Sequence, residues 1–402
     1  MDPVRREYIL VTIAGTVTML SGGMSFPIFA KYVEIEFTAP ILLIGVAVSG
    51  YFIIRMFAEL PFGAISDRLG PRKPLLIGRI LAIVGAFITW SATDVYQLVI
   101  ARALWGVGDA SFFCISTAYV AKLFSVRGRG RALGAFQSVE MIGSFLGQSI
   151  GGLIATPLGI RNIFLVNACM GFITLTLTGM LGSQEDSPTH AQSTGGILPS
   201  RKMLGSAINV TVAIACAMNF LLFFRNMGIM STIAPIYLTG ELGISLAEYG
   251  FLMAISTAGG AFGTVSGGWL SDKFERWKIL TFGFILGAAA TYMFSVADTF
   301  TSLLTLMVLN GYSWGAIYSV TPALVADSVP ESLRGMAIGA YRSFLDLGGL
   351  VGPVVMGFIV ELAGKPQGFV MAFYVGAAIM LLNLPLTALL TRRSAADEKS
   401  SP

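Results

Sequence analysis

The stretch Gly63–Lys73, GAISDRLGPRK, returns in altered form as Gly268–Lys278, GWLSDKFERWK, 205 residues further along the chain. Gly63 and Asp67 match Gly268 and Asp272. At the same offset Gly106 meets Gly311, Arg129-Gly130 meets Arg334-Gly335, and Gly134-Ala135-Phe136 meets Gly339-Ala340-Tyr341. Single glycine matches mean little in a chain with 47 glycines. One offset shared by loops and apolar runs alike marks an internal duplication, and such a repeat decides the architecture before any motif is read.

Each copy of the stretch joins two long apolar runs. Working outward from them, twelve runs are long enough to cross about 30 Å of hydrocarbon at 1.5 Å per residue. They lie at 8–31, 41–66, 74–93, 96–121, 131–155, 162–182, 206–238, 245–270, 279–296, 301–326, 334–362 and 368–391. Composition agrees: of 402 residues 55% are hydrophobic and 12% charged, against roughly 25% charged in a soluble domain. The runs lack the period-two alternation of barrel strands, so their backbone polar groups must be satisfied within helices. The expectation is an all-α membrane protein, twelve transmembrane helices in two pseudo-symmetric six-helix bundles. The bundles are expected at 1–182 and 206–402, the latter with a short tail. A polar linker rich in Ser, Thr, Pro and Gly at 183–205 would join them.

The first span is too long for a signal peptide and lacks a small-residue cleavage pattern, so it is read as retained. With an even number of spans both termini share a side. Eighteen Lys and Arg residues fall on that side of the membrane and three, Lys31, Arg161 and Lys365, on the other. Basic residues stay cytoplasmic, so the reading is a multi-pass protein of the plasma membrane with both termini and the linker in the cytoplasm. Cys114, Cys169 and Cys216 lie in apolar runs without metal-ligand spacing, and the one His190 sits in the linker. Disulfide scaffolds, zinc sites and histidine-based metal chemistry are thereby excluded. No metal or cofactor is expected. A formal charge of +4 is too small to point to nucleic acid.

Nine ionisable residues fall inside the spans: Arg55, Glu59, Arg79, Arg102, Asp109, Glu140, Arg225, Arg342 and Asp346. At roughly 3 kcal/mol each on insertion scales they would together cost ~27 kcal/mol, so most must pair or face water. Spacing puts Arg55 with Glu59, Arg342 with Asp346, and Arg102 with Asp109 on common helix faces. Arg79 is near enough to a span end to snorkel. Glu140 and Arg225 have no same-helix partner, which makes them the sharpest functional candidates. The alternative is that they pair across helices and only hold the bundle together. Asp109, Glu140 and Asp346 are deep enough to serve in proton coupling. Arg225, Arg342 and Arg55 are fixed positive charges suited to a substrate cavity. Aromatic and thioether side chains such as Met218, Phe220, Phe223, Phe224, Tyr237, Tyr312, Trp314 and Tyr318 could line an amphiphile site or simply pack.

The Gly63–Lys73 stretch resembles the loop motif of the major facilitator superfamily, Gly-x-x-x-Asp-Arg-x-Gly-Arg-Arg/Lys. Gly63, Asp67, Arg68, Gly70, Arg72 and Lys73 fit, with Pro71 inserted; the second copy keeps Gly268, Asp272, Lys273, Arg276 and Lys278 but has Glu275 in place of glycine. The resemblance implies a cytoplasmic gate in which Asp67 faces the start of a helix of the other half, near Arg334. A carboxylate at a helix N-terminus contributes about 0.3–1 kcal/mol, a suitable size for a gate that must open. Arg102-Ala-Leu-Trp105-Gly106-Val-Gly108-Asp109-Ala110 is similar to a second motif of the superfamily, with Trp105 for glutamine. Gly143, Gly147, Gly151 and Gly152 of the fifth span resemble the glycines that mark drug/proton antiporters, with Gln148 where proline is usual. Small residues four apart also let membrane helices touch.

Duplicated six-helix halves imply a substrate site between them and alternating access. No ATP-binding loop is present, so the energy source is read as an ion gradient. The reading is therefore a proton-coupled exporter of small amphiphilic compounds, in contact with protons, a small-molecule substrate and the bilayer, and monomeric as the resemblance implies. Its rivals are a symporter or exchanger of an organic anion and a non-transporting receptor on the same fold. An enzyme is not expected, since no nucleophile, base and acid converge in the sequence.

Overall fold

The computed structural model describes residues 2–124, 126–182, 209–330 and 333–400. The linker 183–205 lies outside the described residues, as does the side chain of Asp67. Among the described residues there are fifteen α-helices, one π-helical segment and no strand. In order these are α1 (Pro3–Ser25), α2 (Phe29–Phe37), α3 (Ile41–Leu69), α4 (Arg72–Ser91), α5 (Val95–Leu123), α6 (Val126–Leu158) and α7 (Asn162–Gly179). After the linker come α8 (Val210–Arg225), the π-helical segment Asn226–Ile233, α9 (Ala234–Gly240), α10 (Leu246–Ser271) and α11 (Arg276–Met293). The chain closes with α12 (Phe300–Asp327), α13 (Arg334–Ala363), α14 (Gln367–Leu381) and α15 (Asn383–Ser400).

Among the described residues each of the twelve predicted spans overlaps a helix. Ten described helical stretches are long and apolar enough to cross a membrane. α10 and α11 are not among them: α10 carries the run Ser256-Thr-Ala-Gly-Gly-Ala-Phe-Gly-Thr, and α11 opens on Arg276 and Lys278. Helix ends follow local chemistry. Asp94 caps α5 by accepting from the Tyr96 amide at 2.7 Å, and Thr299 and Ser302 form a capping box at the start of α12.

One expected span is corrected and another changes helix type along its length. The first run does not continue to residue 31 as one helix, because α1 stops at Ser25 ahead of Pro27, whose ring nitrogen cannot donate to the preceding turn. The seventh run stays one continuous helical stretch, Val210–Gly240, but changes to π-helical geometry within it, where Thr232 Oγ1 donates to the Met227 carbonyl five residues back at 2.9 Å. Pro235 follows in the first turn of α9 and has no N–H for the carbonyl four residues earlier, so the ladder before it widens.

The chain groups into two compact units, Met1–Pro199 with Ile244–Ala254, and Ser200–Gly243 with Ile255–Pro402. In the first, α3 and α4 pack on α5, α1 packs on α6, and α4 on α7. Its core gathers Val11, Leu75, Phe112, Tyr119 and Phe136. In the second, α11 packs on α12 and α14, and α8 on α13, around Met218, Leu222, Leu280, Phe284, Ile317 and Met380.

Glycine contacts show the duplication in three dimensions. A methyl group on Gly106 would collide with the carbonyl oxygen of Tyr51, and one on Gly311 with that of Ser256, the same contact 205 residues on. Gly143 and Gly147 bring α6 against the carbonyls of Thr16 and Leu20 of α1. Their repeat partners Gly348 and Gly352 do the same for α13 against Phe220 and Phe224 of α8. The antiporter-like glycines Gly143 and Gly147 therefore pack helices in the first unit, as their repeat partners do in the second.

Candidate functional site

The buried charges of the first unit converge where α4 meets α5. Gly78 and Gly108 let these helices touch: a Cβ on Gly108 would stand 2.6 Å from the Gly78 carbonyl oxygen. That approach brings Arg79 Nη2 to 2.6 Å from the Gly108 carbonyl and 3.2 Å from Asp109 Oδ1. Arg79 Nη1 donates to Thr18 Oγ1 of α1 at 3.2 Å, and the Tyr51 hydroxyl of α3 donates to Asp109 Oδ2 at 2.9 Å. Four helices are thus tied by one ion pair that is 3% exposed at Arg79 and 7% at Asp109. Two expectations are corrected. Arg79 does not snorkel, and the partner of Asp109 is Arg79 rather than Arg102.

Arg102 is fully buried, and its three guanidinium nitrogens have no hydrogen-bond partner among the described residues. Aromatic rings surround it instead, with Phe29 at 4.1 Å, Phe26 at 4.5 Å, Tyr51 at 5.4 Å and Trp105 at 5.5 Å from its Cζ. Such cation–π contacts are the interaction left to a charge held away from water. Trp105, the departure from the motif it resembles, supplies one of the rings. Arg55 pairs with Glu59 at 3.4 Å as the spacing predicts.

Glu140 lies on α6 facing α1 and is 6% exposed. Gly15 makes room for it, because a Cβ there would stand 2.5 Å from Glu140 Oε1. Oε1 has no hydrogen-bond partner among the described residues.

In the second unit Arg225 closes α8. Its Nε donates to Thr291 Oγ1 at 2.8 Å, and Nη2 bonds the same hydroxyl and the Gly287 carbonyl of α11. It is 1% exposed, and the π-helical segment begins at the next residue. Asp346 is buried in α13 and Arg342 half-buried one turn before it. Trp314 and Tyr318 stack with centroids 4.7 Å apart, and Phe223 lies 6.3 Å from Trp314. Tyr237 instead packs on Phe369 and Phe373. Sequence reasoning missed Tyr51, Thr18 and Thr291, hydroxyls whose place beside an arginine depends on which helices touch.

In the loop motif α3 ends at Leu69, and Gly70 turns the chain at φ 75°, in the left-handed region open to glycine, before α4 begins at Arg72. A Cβ on Gly63 would stand 3.4 Å from Cys114 Sγ of α5. Arg68 is exposed and Arg72 half-buried. In the second copy Gly268 lies in the last turn of α10 and Asp272 in the turn that follows it, Lys273 lies over the Trp269 ring at 3.8 Å, and Arg276 pairs with Asp327 of α12 at 2.6 Å.

Known proteins resemble the chain in sequence and in fold. The chain is 26% identical over 345 residues to the multidrug resistance protein MdtG of Proteus mirabilis, covering 85% of this chain and 83% of that one. It is 26% identical over 378 residues to the putative niacin/nicotinamide transporter NiaP of Bacillus subtilis, covering 90% and 89%. The crystal structure of the nucleoside transporter NupG superposes with a TM-score of 0.81 at 13% identity over 97% of this chain and 99% of that one. A bacterial homologue of the human lysosomal transporter Spinster does so with 0.82 at 13% identity over 98% of each. The sequence profile of the Major Facilitator Superfamily matches residues 11–224 and again 215–402. With that double match, the twelve helical runs and the duplicated glycine contacts, the chain belongs to the Major Facilitator Superfamily of membrane transporters.

Proposed function

We propose that the chain is a proton-coupled secondary active transporter that exports small amphiphilic compounds by antiport, with Glu140 as the group that binds and releases the coupling proton. The observation that carries this reading is the solitary carboxylate: Glu140 is buried, faces a glycine, and makes no ion pair among the described residues. It gains or loses a proton without breaking a salt bridge. Asp109 is committed to Arg79 and Tyr51, which ranks it after Glu140; Asp346 is the further candidate. The likeness to MdtG, named for multidrug resistance, supports amphiphile export. The bundles at 1–182 and 206–402 would span the membrane, with both termini and the linker in the cytoplasm. The protein would work as a monomer in the plasma membrane by alternating access, with Asp67 and its loop as cytoplasmic gate.

Proteoliposomes with an internal pH dye test this. Adding a cationic amphiphile to acid-loaded vesicles should release protons, and Glu140→Gln should lower that release at least about tenfold, a change of ~1.4 kcal/mol in coupling. Undiminished proton-driven transport by Glu140→Gln would remove Glu140 from the mechanism.

The second reading, a symporter or exchanger of an organic anion, draws on Arg225, Arg342 and Arg55 and on the likeness to a protein named for niacin. It expects Arg225→Ala to abolish flux of a carboxylated substrate. The bonds from Arg225 to Thr291 and Gly287 favour a packing role for that residue.

A further inference from the structure

The Arg79–Asp109 pair forms part of the wall of a small cavity inside the first unit. The cavity measures about 20 Å³, is partly open, and is lined by Thr18 and Ser21 of α1, Arg79 of α4, Asp109 of α5, and Asn167 and Thr174 of α7, with mostly apolar residues making up the rest. A water molecule needs roughly 10–15 Å³ measured this way, so there is room for one.

Asn167 is the unexplained member. It is 3% exposed, and both its amide oxygen and its amide nitrogen have no hydrogen-bond partner among the described residues. Arg79 Nε, in the same wall, is likewise without one. Buried amides are almost always paired, because an amide cut off from water loses its hydration with nothing in return. A simple apolar cavity would be lined by leucine here.

The geometry points to a binding site for one water molecule, held by Asn167 and by Arg79 beside the ion pair. Two donors, Arg79 Nε and Asn167 Nδ2, and the acceptor Asn167 Oδ1 complement a molecule that both donates and accepts. A metal cation does not suit the wall. The Asp109 carboxylate is already balanced by Arg79 at 3.2 Å, and a guanidinium in the wall repels positive charge. An anion is opposed by Asp109 itself. The water joins α7 to the charge pair that ties α1, α3, α4 and α5, and it leaves Asp109 beside an exchangeable proton carrier. The site stands whether or not Glu140 couples transport.

The sign of one stability change tests it. Asn167→Leu keeps the volume, expels the water and strands Arg79 Nε, so the midpoint of thermal unfolding in detergent should fall by several degrees. A midpoint that stays or rises would mean the polar amide was dry and better removed, and the site would be overturned. Should Asn167→Leu fail to fold, a cryo-EM or crystal map of the unaltered protein at water-resolving resolution decides. Density within hydrogen-bond distance of Asn167 and Arg79 Nε is expected, and an empty cavity overturns the site. Replacing choline chloride by sodium chloride at constant ionic strength should leave the midpoint unchanged. A sodium-specific rise that Asn167→Leu abolishes would make the occupant a cation and overturn the water.

Discussion

Arg79 and Asp109 neutralise each other in a place where neither has bulk water, so each is far more costly alone than together. Removing one partner of a buried pair typically costs about 3–5 kcal/mol, because the other charge stays behind. Arg79→Ala and Asp109→Asn should each lower unfolding stability by that order, read from thermal or denaturant unfolding in detergent. The double variant Arg79→Met/Asp109→Leu should recover part of the loss; equal or greater loss than the sum would mean the pair is not the main term. Glu140 makes a different prediction. Gly15→Ala leaves every charge in place yet sets a methyl group 2.5 Å from the present position of Oε1. It should displace the carboxylate and reduce proton-coupled flux while the protein still assembles, measured as flux per correctly folded molecule.

Helices in this chain are defined as much by what interrupts them as by their apolar runs. Pro27 separates α1 from α2, and Pro235 sets the end of the π-helical segment that follows Arg225. π-Turns are costly in hydrogen-bond geometry and recur at functional sites. Pro235→Ala restores the missing N–H and should convert part of Asn226–Ile233 to α-helix, a register change that backbone amide exchange or a structure of the variant would show. At the α1–α6 seam Gly147 leaves no space for a side chain against the Leu20 carbonyl. Gly147→Leu should destabilise the first unit by about 1–3 kcal/mol, the range for overpacking, and Gly352→Leu should act in the same sense on the α8–α13 seam of the second.

Across the whole molecule the duplication preserves helix packing and the loop charges but not the buried charges of α4 and α5. The positions 205 residues on from Arg79, Arg102 and Asp109 are Phe284, Met307 and Trp314. The first unit thus carries the ion pair and the ring-enclosed arginine, while at the position matching Asp109 the second carries Trp314, stacked on Tyr318. The uneven distribution of Lys and Arg further predicts orientation. In a variant without its native cysteines, Asp298→Cys, in the exposed α11–α12 loop, should react with an impermeant thiol reagent in intact cells. Glu275→Cys, between α10 and α11, should react only after permeabilisation; the reverse pattern would invert the topology.

The sequence alone determined the class of protein, the helical runs, the repeat and the list of charges that cannot sit free in lipid. Those follow from local rules: hydrocarbon thickness, backbone hydrogen bonding and the periodicity of one helix. The same rules paired Arg55 with Glu59, since residues four apart share a face whatever surrounds them. They failed for Asp109, whose partner came from the neighbouring helix because Gly78 and Gly108 bring α4 and α5 into contact. Only the tertiary structure decided that Arg102 would be wrapped in rings, that Glu140 would face Gly15, and that Asn167 would stand beside the ion pair. A side chain's neighbours across a helix seam depend on rotation and approach of whole helices, and one helix's own spacing carries no record of either.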